Sequence, residues 1–86
     1  MKVAYSSNFN KKIKKIPKKV VDRFYERLEL FKVDIFHPIL NNHALTGEHK
    51  DKRSFNVTGD YRVWFYYIGK DAVILTDIGT HSELYG

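Results

Sequence analysis

The chain has 86 residues, a length that accommodates one small domain and excludes a two-domain protein. Its composition, 43% hydrophobic and 15% aromatic, excludes a disordered tail, and the absence of cysteine excludes disulfides, thiolate metal sites and a cysteine nucleophile. No apolar run approaches the roughly 20 residues of a membrane span, and the first residues lack a signal-peptide core, so we expect a cytoplasmic protein.

The charge of the chain is positive and unevenly distributed. The formal net charge is +5, but residues 1–43 hold ten basic and four acidic side chains, whereas residues 44–86 hold five basic and six acidic ones. A basic domain of this kind favours a polyanionic partner or an acidic protein partner. A face that needs charge only for solubility is the alternative.

The first half of the sequence predicts a strand followed by two helices. Residues 2–5 alternate as a short strand does, and Ser6-Ser7-Asn8 offers capping side chains for a first helix over about residues 8–15. Pro17 breaks this helix and suits the first turn of a second one, which is expected to stop before His37-Pro38. The second helix carries an apolar stripe, formed by Pro17, Val20, Val21, Phe24, Leu28, Phe31 and Ile35.

The second half of the sequence predicts three strands joined by short turns. After a polar, irregular stretch over residues 39–51, period-two patterns cover residues 53–57, 61–68 and 72–78. The second pattern is aromatic and β-branched throughout, as a central strand is, and the third is apolar enough to be buried on both faces. The order β-α-α-β-β-β predicts an α+β fold, with a mostly antiparallel sheet and a helical hairpin on one face.

A lysine cluster lies on the predicted helices. Six lysines occur within nine residues: Lys11, Lys12, Lys14, Lys15, Lys18 and Lys19. Such a face binds phosphates through Coulomb attraction and counterion release. Because an ammonium group has no base preference, the cluster predicts a docking surface rather than a sequence reader. A solvated helix face is the alternative.

Four histidines are candidates for proton transfer near neutral pH. His37 precedes a proline at a helix end and is expected to be structural, whereas His49 lies in a charged loop and is expected to be exposed. His43 and His81 lie where a loop meets the sheet, which makes them functional candidates, with a structural role as the alternative. None has the spacing of a zinc motif, so we predict no metal site.

The C-terminal run GTHSELYG at residues 79–86 favours a functional role for His81 and His43. Together with the element order, the loop HALTG at residues 43–47 and the strand entry GDYRV at residues 59–63, it resembles the RelE/ParE toxin superfamily of bacterial type II toxin–antitoxin modules. The YafQ-like branch of the RelE mRNA interferases is the most similar branch. The resemblance covers essentially the whole chain, including the opening YSSNF at residues 5–9.

The resemblance implies a single RelE-like toxin domain over residues 1–86 that cuts mRNA in the ribosomal decoding site and inhibits translation. It implies no metal and no cofactor, because the 2′-hydroxyl of the RNA attacks its own 3′-phosphate and leaves a 5′-hydroxyl. That chemistry needs a base, an acid and positive charge near the phosphorane. The implied partners are the ribosome, mRNA and a cognate antitoxin, with operator DNA bound only through the antitoxin complex.

The family's functional residues carry over one at a time. His81 matches the catalytic histidine and is the candidate general acid, and His43 matches a second functional histidine. Asp60 matches an acidic residue that serves as base or orients one, with a turn former as the alternative. Tyr85 occupies the terminal aromatic position, where a ring stacks on a base or only packs. Arg62, a catalytic candidate, and Arg53 are expected to hold the scissile phosphate, with a surface strand charge as the alternative for Arg53. The other expected RNA contacts are Lys52, Lys11, Lys12, Lys14 and Lys15.

Two positions depart from the family pattern. Asn56 stands where YafQ-like enzymes carry a further histidine, and an amide does not transfer protons at neutral pH. Asp77 stands where they carry an arginine, so either Arg62 or a lysine such as Lys52 supplies the positive charge, or activity is weak or lost. Two other functions therefore stay open: a ParE-like inhibitor of DNA gyrase, and a weakened homologue that mainly binds its antitoxin.

Overall fold

One five-stranded sheet and three α-helices make up residues 1–85, the part of the chain that the computed structural model describes. The strands are β1 (Lys2–Tyr5), β2 (His43–Ala44), β3 (Arg53–Asn56), β4 (Tyr61–Gly69) and β5 (Ala72–Thr80). The helices are α1 (Ser7–Ile13), α2 (Lys18–Val33) and α3 (His81–Tyr85), with 3₁₀ turns at Pro38–Leu40 and Gly47–His49. The sheet order is β1-β5-β4-β3-β2, and only β1 and β5 pair in parallel. This arrangement confirms the predicted α+β fold class.

Capping side chains and proline determine where α1 and α2 begin, and the backbone at Asp34 determines where α2 ends. The hydroxyl of Ser6 accepts a hydrogen bond at 3.0 Å from the backbone N–H three residues on, and so caps α1. Pro17 separates the two helices and directly precedes α2. Helix α2 ends at Val33, short of the predicted limit at Pro38, because the backbone of Asp34 leaves the helical region with φ at −145°.

The hydrophobic core lies between these helices and one face of the sheet. Phe31 of α2 stacks on Phe55 of β3 at 4.7 Å between ring centroids and meets Phe65 of β4 edge-on at 5.0 Å. Burial of such apolar surface is the main stabilising contribution to the fold. The core is completed by Phe9, Phe24, Leu28, Leu40, Val57, Val63, Val73, Leu75 and Ile78. We call the opposite face of the sheet, over β2–β5, the open face.

A β-bulge in β5 changes which side chains point into the core. Trp64 of β4 pairs with Asp77, but the next residue of β4 pairs with Leu75, which leaves Thr76 as the extra residue. The core-facing positions therefore shift by one, and Ile78 rather than Asp77 is buried. The prediction that this strand is buried on both faces is wrong, because α1 and α2 cover only one face and Thr76 and Asp77 stay half-buried.

Two elements, β2 and α3, were not predicted from the sequence. The two residues of β2 lie inside the stretch predicted to be irregular and pair with Arg53 and Ser54 of β3. His37 caps the 3₁₀ turn before β2, because its Nδ1 accepts a hydrogen bond at 3.2 Å from the N–H of Ile39, so the predicted structural role of this histidine is confirmed. Among residues 1–85, no helix is long and apolar enough to cross a membrane.

Candidate active site

The strand register brings side chains from four strands onto the open face. Asp77 of β5 lies opposite Trp64 of β4, which lies opposite Ser54 of β3, which lies opposite His43 of β2. A second row, two residues away along the strands, holds Gly79, Arg62 and Asn56, with the last two directly paired. Neighbouring strands are about 4.8 Å apart and such rows about 7 Å apart, so these side chains lie on one continuous patch of the sheet.

Helix α3 begins where β5 ends and is fixed by a capping box. The backbone N–H of Thr80 donates to Glu83 Oε1 at 2.8 Å, and the N–H of Glu83 donates to Thr80 Oγ1 at 3.2 Å. The first of these hydrogen bonds, with a smaller contribution from the Thr80 side chain, holds the pKa of the Glu83 carboxyl below its ordinary value. A side chain at Gly79 would press on this helix, because its Cβ would lie 3.3 Å from Glu83 Oε1 and 3.4 Å from Leu84 Cδ2.

His81 and Tyr85 form a stacked pair on α3. Their spacing of four residues places them on one side of the helix, with ring centroids 4.4 Å apart and planes at 26°. Tyr85 also meets the buried Trp64 ring edge-on at 5.2 Å. His81 is exposed and Tyr85 is 43% exposed, whereas Trp64 is only 3% exposed. The imidazole and the phenol are therefore presented to solvent above a buried indole.

A second segment reaches the same indole from the other side of the site. The ring of His49 lies 4.7 Å from the Trp64 ring, and Lys52 Nζ lies 5.9 Å from its centroid. His49 is thus half-buried by packing, and the prediction that it is only an exposed loop residue is wrong. Neither Trp64 nor His49 was a predicted site residue, since apolar residues on both sides of Trp64 in β4 hide the face that the tryptophan occupies.

His43 is exposed on β2 with its ring orientation fixed by the backbone. Its Nδ1 lies 2.9 Å from the carbonyl oxygen of Asn41. Because a carbonyl oxygen only accepts hydrogen bonds, Nδ1 carries the proton in the neutral ring and Nε2 keeps its lone pair. Nε2 of His43 is therefore the nitrogen of this ring that can take up a proton.

Asp60 and Arg62 lie at the end of the site that is next to His81. The backbone N–H of His81 donates to the carbonyl oxygen of Asp60 at 3.1 Å, which ties the end of β5 to the turn before β4. The carboxylate of Asp60 belongs to an exposed residue. Arg62 Nη1 donates to the carbonyl oxygens of Thr58 and Tyr61 at 3.0 and 3.2 Å, which anchors one end of its half-buried guanidinium.

Arg53 is the predicted site residue that the structure separates from the others. It pairs with the core residue Phe65 across the β3–β4 ladder and so lies on the helix side of the sheet. Its Nε donates to Asn42 Oδ1 at 2.7 Å, and its guanidinium lies 5.5 Å from the ring centroid of Phe36. These contacts give Arg53 a structural role in holding the segment between α2 and β2.

Two of the predicted RNA-binding lysines in and after α1, Lys12 and Lys15, lie beside β5 and α3. Lys12 Nζ binds Asp77 Oδ1 at 2.6 Å, and the same oxygen accepts the N–H of Ile78. Lys12 and Lys15 also line a cleft of about 210 Å³ that borders Glu83 of α3. Lys11 is exposed on α1, and Lys14 is exposed directly after it. The negative charge that Asp77 adds is therefore compensated locally by Lys12.

The described residues hold no cluster of three or more histidine, aspartate or glutamate side chains arranged to bind a metal. The candidate site instead offers two imidazoles, a carboxylate, a phenol and the cations of Lys52 and Arg62. These groups can donate and accept protons and neutralise phosphate charge.

The fold is similar to that of solved bacterial toxins. YafQ from E. coli strain BL21(DE3) is 19% identical, with a TM-score of 0.82, and the match covers 98% of this chain and 97% of that one. In the E. coli DinJ–YafQ toxin–antitoxin complex, the matching chain is 21% identical with a TM-score of 0.74, and 98% and 96% of the two chains are covered. HP0894 from Helicobacter pylori is 27% identical with a TM-score of 0.76, covering 98% of each chain.

The family itself is shown by the sequence. The family described as "Bacterial toxin of type II toxin-antitoxin system, YafQ" matches residues 1–86, and the chain belongs to that family. This confirms the resemblance inferred from the C-terminal motif, although the last residue of that motif, Gly86, lies outside the described residues. A search of curated proteins gives no match.

Proposed function

We propose that this type II toxin is a metal-independent endoribonuclease that cuts mRNA on the ribosome and thereby inhibits translation, with residues 1–86 acting as one toxin domain. The observation that supports this most directly is the stacked pair of His81 and Tyr85, exposed at the end of β5 above the buried Trp64. A proton donor beside an aromatic ring is what cleavage next to a splayed base requires.

In the proposed reaction the RNA supplies its own nucleophile. The 2′-oxygen forms a bond to the adjacent phosphorus while the bond from phosphorus to the 5′-oxygen breaks, leaving a 2′,3′-cyclic phosphate and a 5′-hydroxyl. The proton of the 2′-hydroxyl passes to a base, and His81, entering as imidazolium, gives its proton to the departing 5′-oxygen.

The base in this scheme is Nε2 of His43, because the hydrogen bond between Nδ1 and the Asn41 carbonyl leaves that nitrogen unprotonated in the neutral ring. Asp60, whose backbone carbonyl accepts the N–H of His81, would orient a water or a protonated imidazole through its carboxylate. Arg62 and Lys52 stabilise the charge on the phosphorane, since both lie towards the open face.

The proposed partner of the toxin is an acidic antitoxin. YafQ of E. coli forms a complex with DinJ, and the first half of this chain carries the excess of basic residues that an acidic, partly disordered segment would neutralise. Operator DNA would be bound through that complex. Once the antitoxin is released, the toxin would bind the ribosome and mRNA in the cytoplasm.

The test is cleavage of mRNA on programmed ribosomes by the purified protein, with the new 5′ ends sequenced. We expect the His81→Ala variant to cleave about 10²–10⁴ times more slowly and the Tyr85→Ala variant to be impaired as well. His37→Asn is the matched control, because asparagine also caps a helix and this histidine lies outside the site.

Equal cleavage by the parent and His81→Ala would refute the assignment of the general acid. Intact mRNA together with arrested DNA supercoiling would support a gyrase inhibitor instead. The departures at Asn56 and Asp77 favour a weakened homologue as the second candidate, and tight antitoxin binding without cleavage by the parent would identify it.

A further inference from the structure

Trp64, the only tryptophan of the sequence, occupies the centre of the open face. Its neighbours in β4, Val63 and Phe65, are buried in the core between sheet and helices, but Trp64 points the other way and is nevertheless 3% exposed. What buries it is the pair of segments that carry the site: Tyr85 of α3, and the segment with His49 and Lys52.

Stability alone does not favour an indole at this position. The Nε1–H of Trp64 is buried and has no hydrogen-bond partner within residues 1–85, and the hydroxyl of Ser54 directly opposite is buried without a partner as well. An unsatisfied buried donor destabilises the folded state, and a smaller apolar side chain such as phenylalanine or leucine carries no such donor. Ser54 is small, and a small residue opposite leaves room for the larger indole.

The geometry of the indole suggests what it provides instead. A single rigid ring system contacts Tyr85 at 5.2 Å and His49 at 4.7 Å between centroids, so it connects the α3 side of the site with the loop side. Helix α3 has only five residues, and a helix of that length has little stability of its own. Its position on the sheet depends on the capping box and on contacts such as this one.

We infer that Trp64 is the positioning residue of the site: it fixes Tyr85 and, through the stacked pair, the imidazole of His81, and it holds His49 and Lys52 against the sheet. This inference rests on the proposed function in so far as it concerns catalysis. A shorter side chain at position 64 would leave Tyr85 without its support. The imidazole of His81, stacked on that ring at 4.4 Å, would then sample other orientations.

The first measurement reports the position of the His81 ring and does not depend on RNA cleavage. Imidazole protons that lie over the face of Tyr85 have NMR signals shifted upfield by the ring current, and the signals are assigned by comparison with a His81→Gln variant. We expect Trp64→Leu to return these signals towards the values of an unstacked histidine and Trp64→Phe to move them less. Tyr67→Leu, at a 46% exposed aromatic of the same strand, is the control and should leave them unchanged.

The second measurement is single-turnover cleavage on programmed ribosomes by variants whose amide spectra show an intact sheet. A mispositioned acid should lower the cleavage rate by about 10²-fold, with little change in the concentration needed for half-maximal rate. If the His81 signals of Trp64→Leu stay at the positions they have in the parent, the inference is overturned, whatever the cleavage rate. If they move towards the values of an unstacked histidine but the parent itself cleaves no RNA, the positioning role is supported and the proposed function is refuted instead.

Discussion

Replacing Thr80 with valine tests whether the capping box holds His81, the proposed general acid, in place. Valine keeps the β-branched shape but removes Oγ1, which accepts the N–H of Glu83 at 3.2 Å. Losing a capping hydroxyl costs about 1 kcal/mol, which reduces the ratio of docked to undocked α3 about fivefold. The cost falls on α3 alone, because the core between the helices and the sheet does not include this side chain.

Hydrogen exchange followed by NMR measures this effect residue by residue. In Thr80→Val the amides of His81 and Glu83 should exchange about fivefold faster, while amides inside the β4–β5 ladder and the midpoint of global unfolding should hardly change. Ser82→Ala is the matched control, because Ser82 lies in the same helix and its hydroxyl makes no hydrogen bond within residues 1–85. Equal protection in Thr80→Val and the parent, or equal loss in both variants, would refute this account of α3.

Two further predictions follow from the contacts around the site. The pKa of Glu83 is lowered in the folded state from an ordinary value of 4.5. The stability that ionised Glu83 gives to α3 is therefore complete above that value and is lost as the pH falls through the lowered pKa. An NMR titration should show α3 loosening in acid, and Glu83→Gln should abolish this pH dependence. Arg53→Ala should lower the free energy of unfolding by about 1–2 kcal/mol through the lost contacts with Asn42 and Phe36. The rate of RNA cleavage, measured at low temperature on the folded variant, should be unchanged. A large loss of cleavage by the folded variant would instead show that Arg53 belongs to the site.

The sequence predicted the fold well where side-chain periodicity is strong. The stripe of α2 and the alternation in β3 determine which side faces the core, and the structure buries Phe24, Leu28, Phe31 and Phe55 accordingly. The bulge at Thr76 was not predictable from that pattern, since an extra residue interrupts the alternation without any glycine or proline to mark it. The two residues of β2 are too few to show any periodicity.

The sequence predicted only part of the candidate site, because it did not show which residues share a face of the sheet. His81 and Tyr85 emerged from the C-terminal motif, but their support by Trp64 depends on which face of β4 the indole occupies. Arg53 did carry a signal, because it alternates in phase with Phe55, a core residue, and that phase places it on the helix side. The Thr-x-x-Glu spacing at residues 80–83 is likewise a capping-box signature that predicts α3.

The ion pair between Lys12 and Asp77 changes how the positive charge is distributed around the site. With Lys12 engaged at 2.6 Å, the α1 side contributes less free positive charge than its lysine content implies. Lys52 has no carboxylate within ion-pair distance among residues 1–85 and lies against the face of the central indole, and Arg62 uses only Nη1 in its backbone contacts there. Because Coulomb attraction falls off with distance and screening, we expect Lys52 and Arg62, which lie next to Trp64 on the open face, to act most strongly on a phosphate bound there. This is where the charge would be needed if an aspartate replaces the arginine of β5.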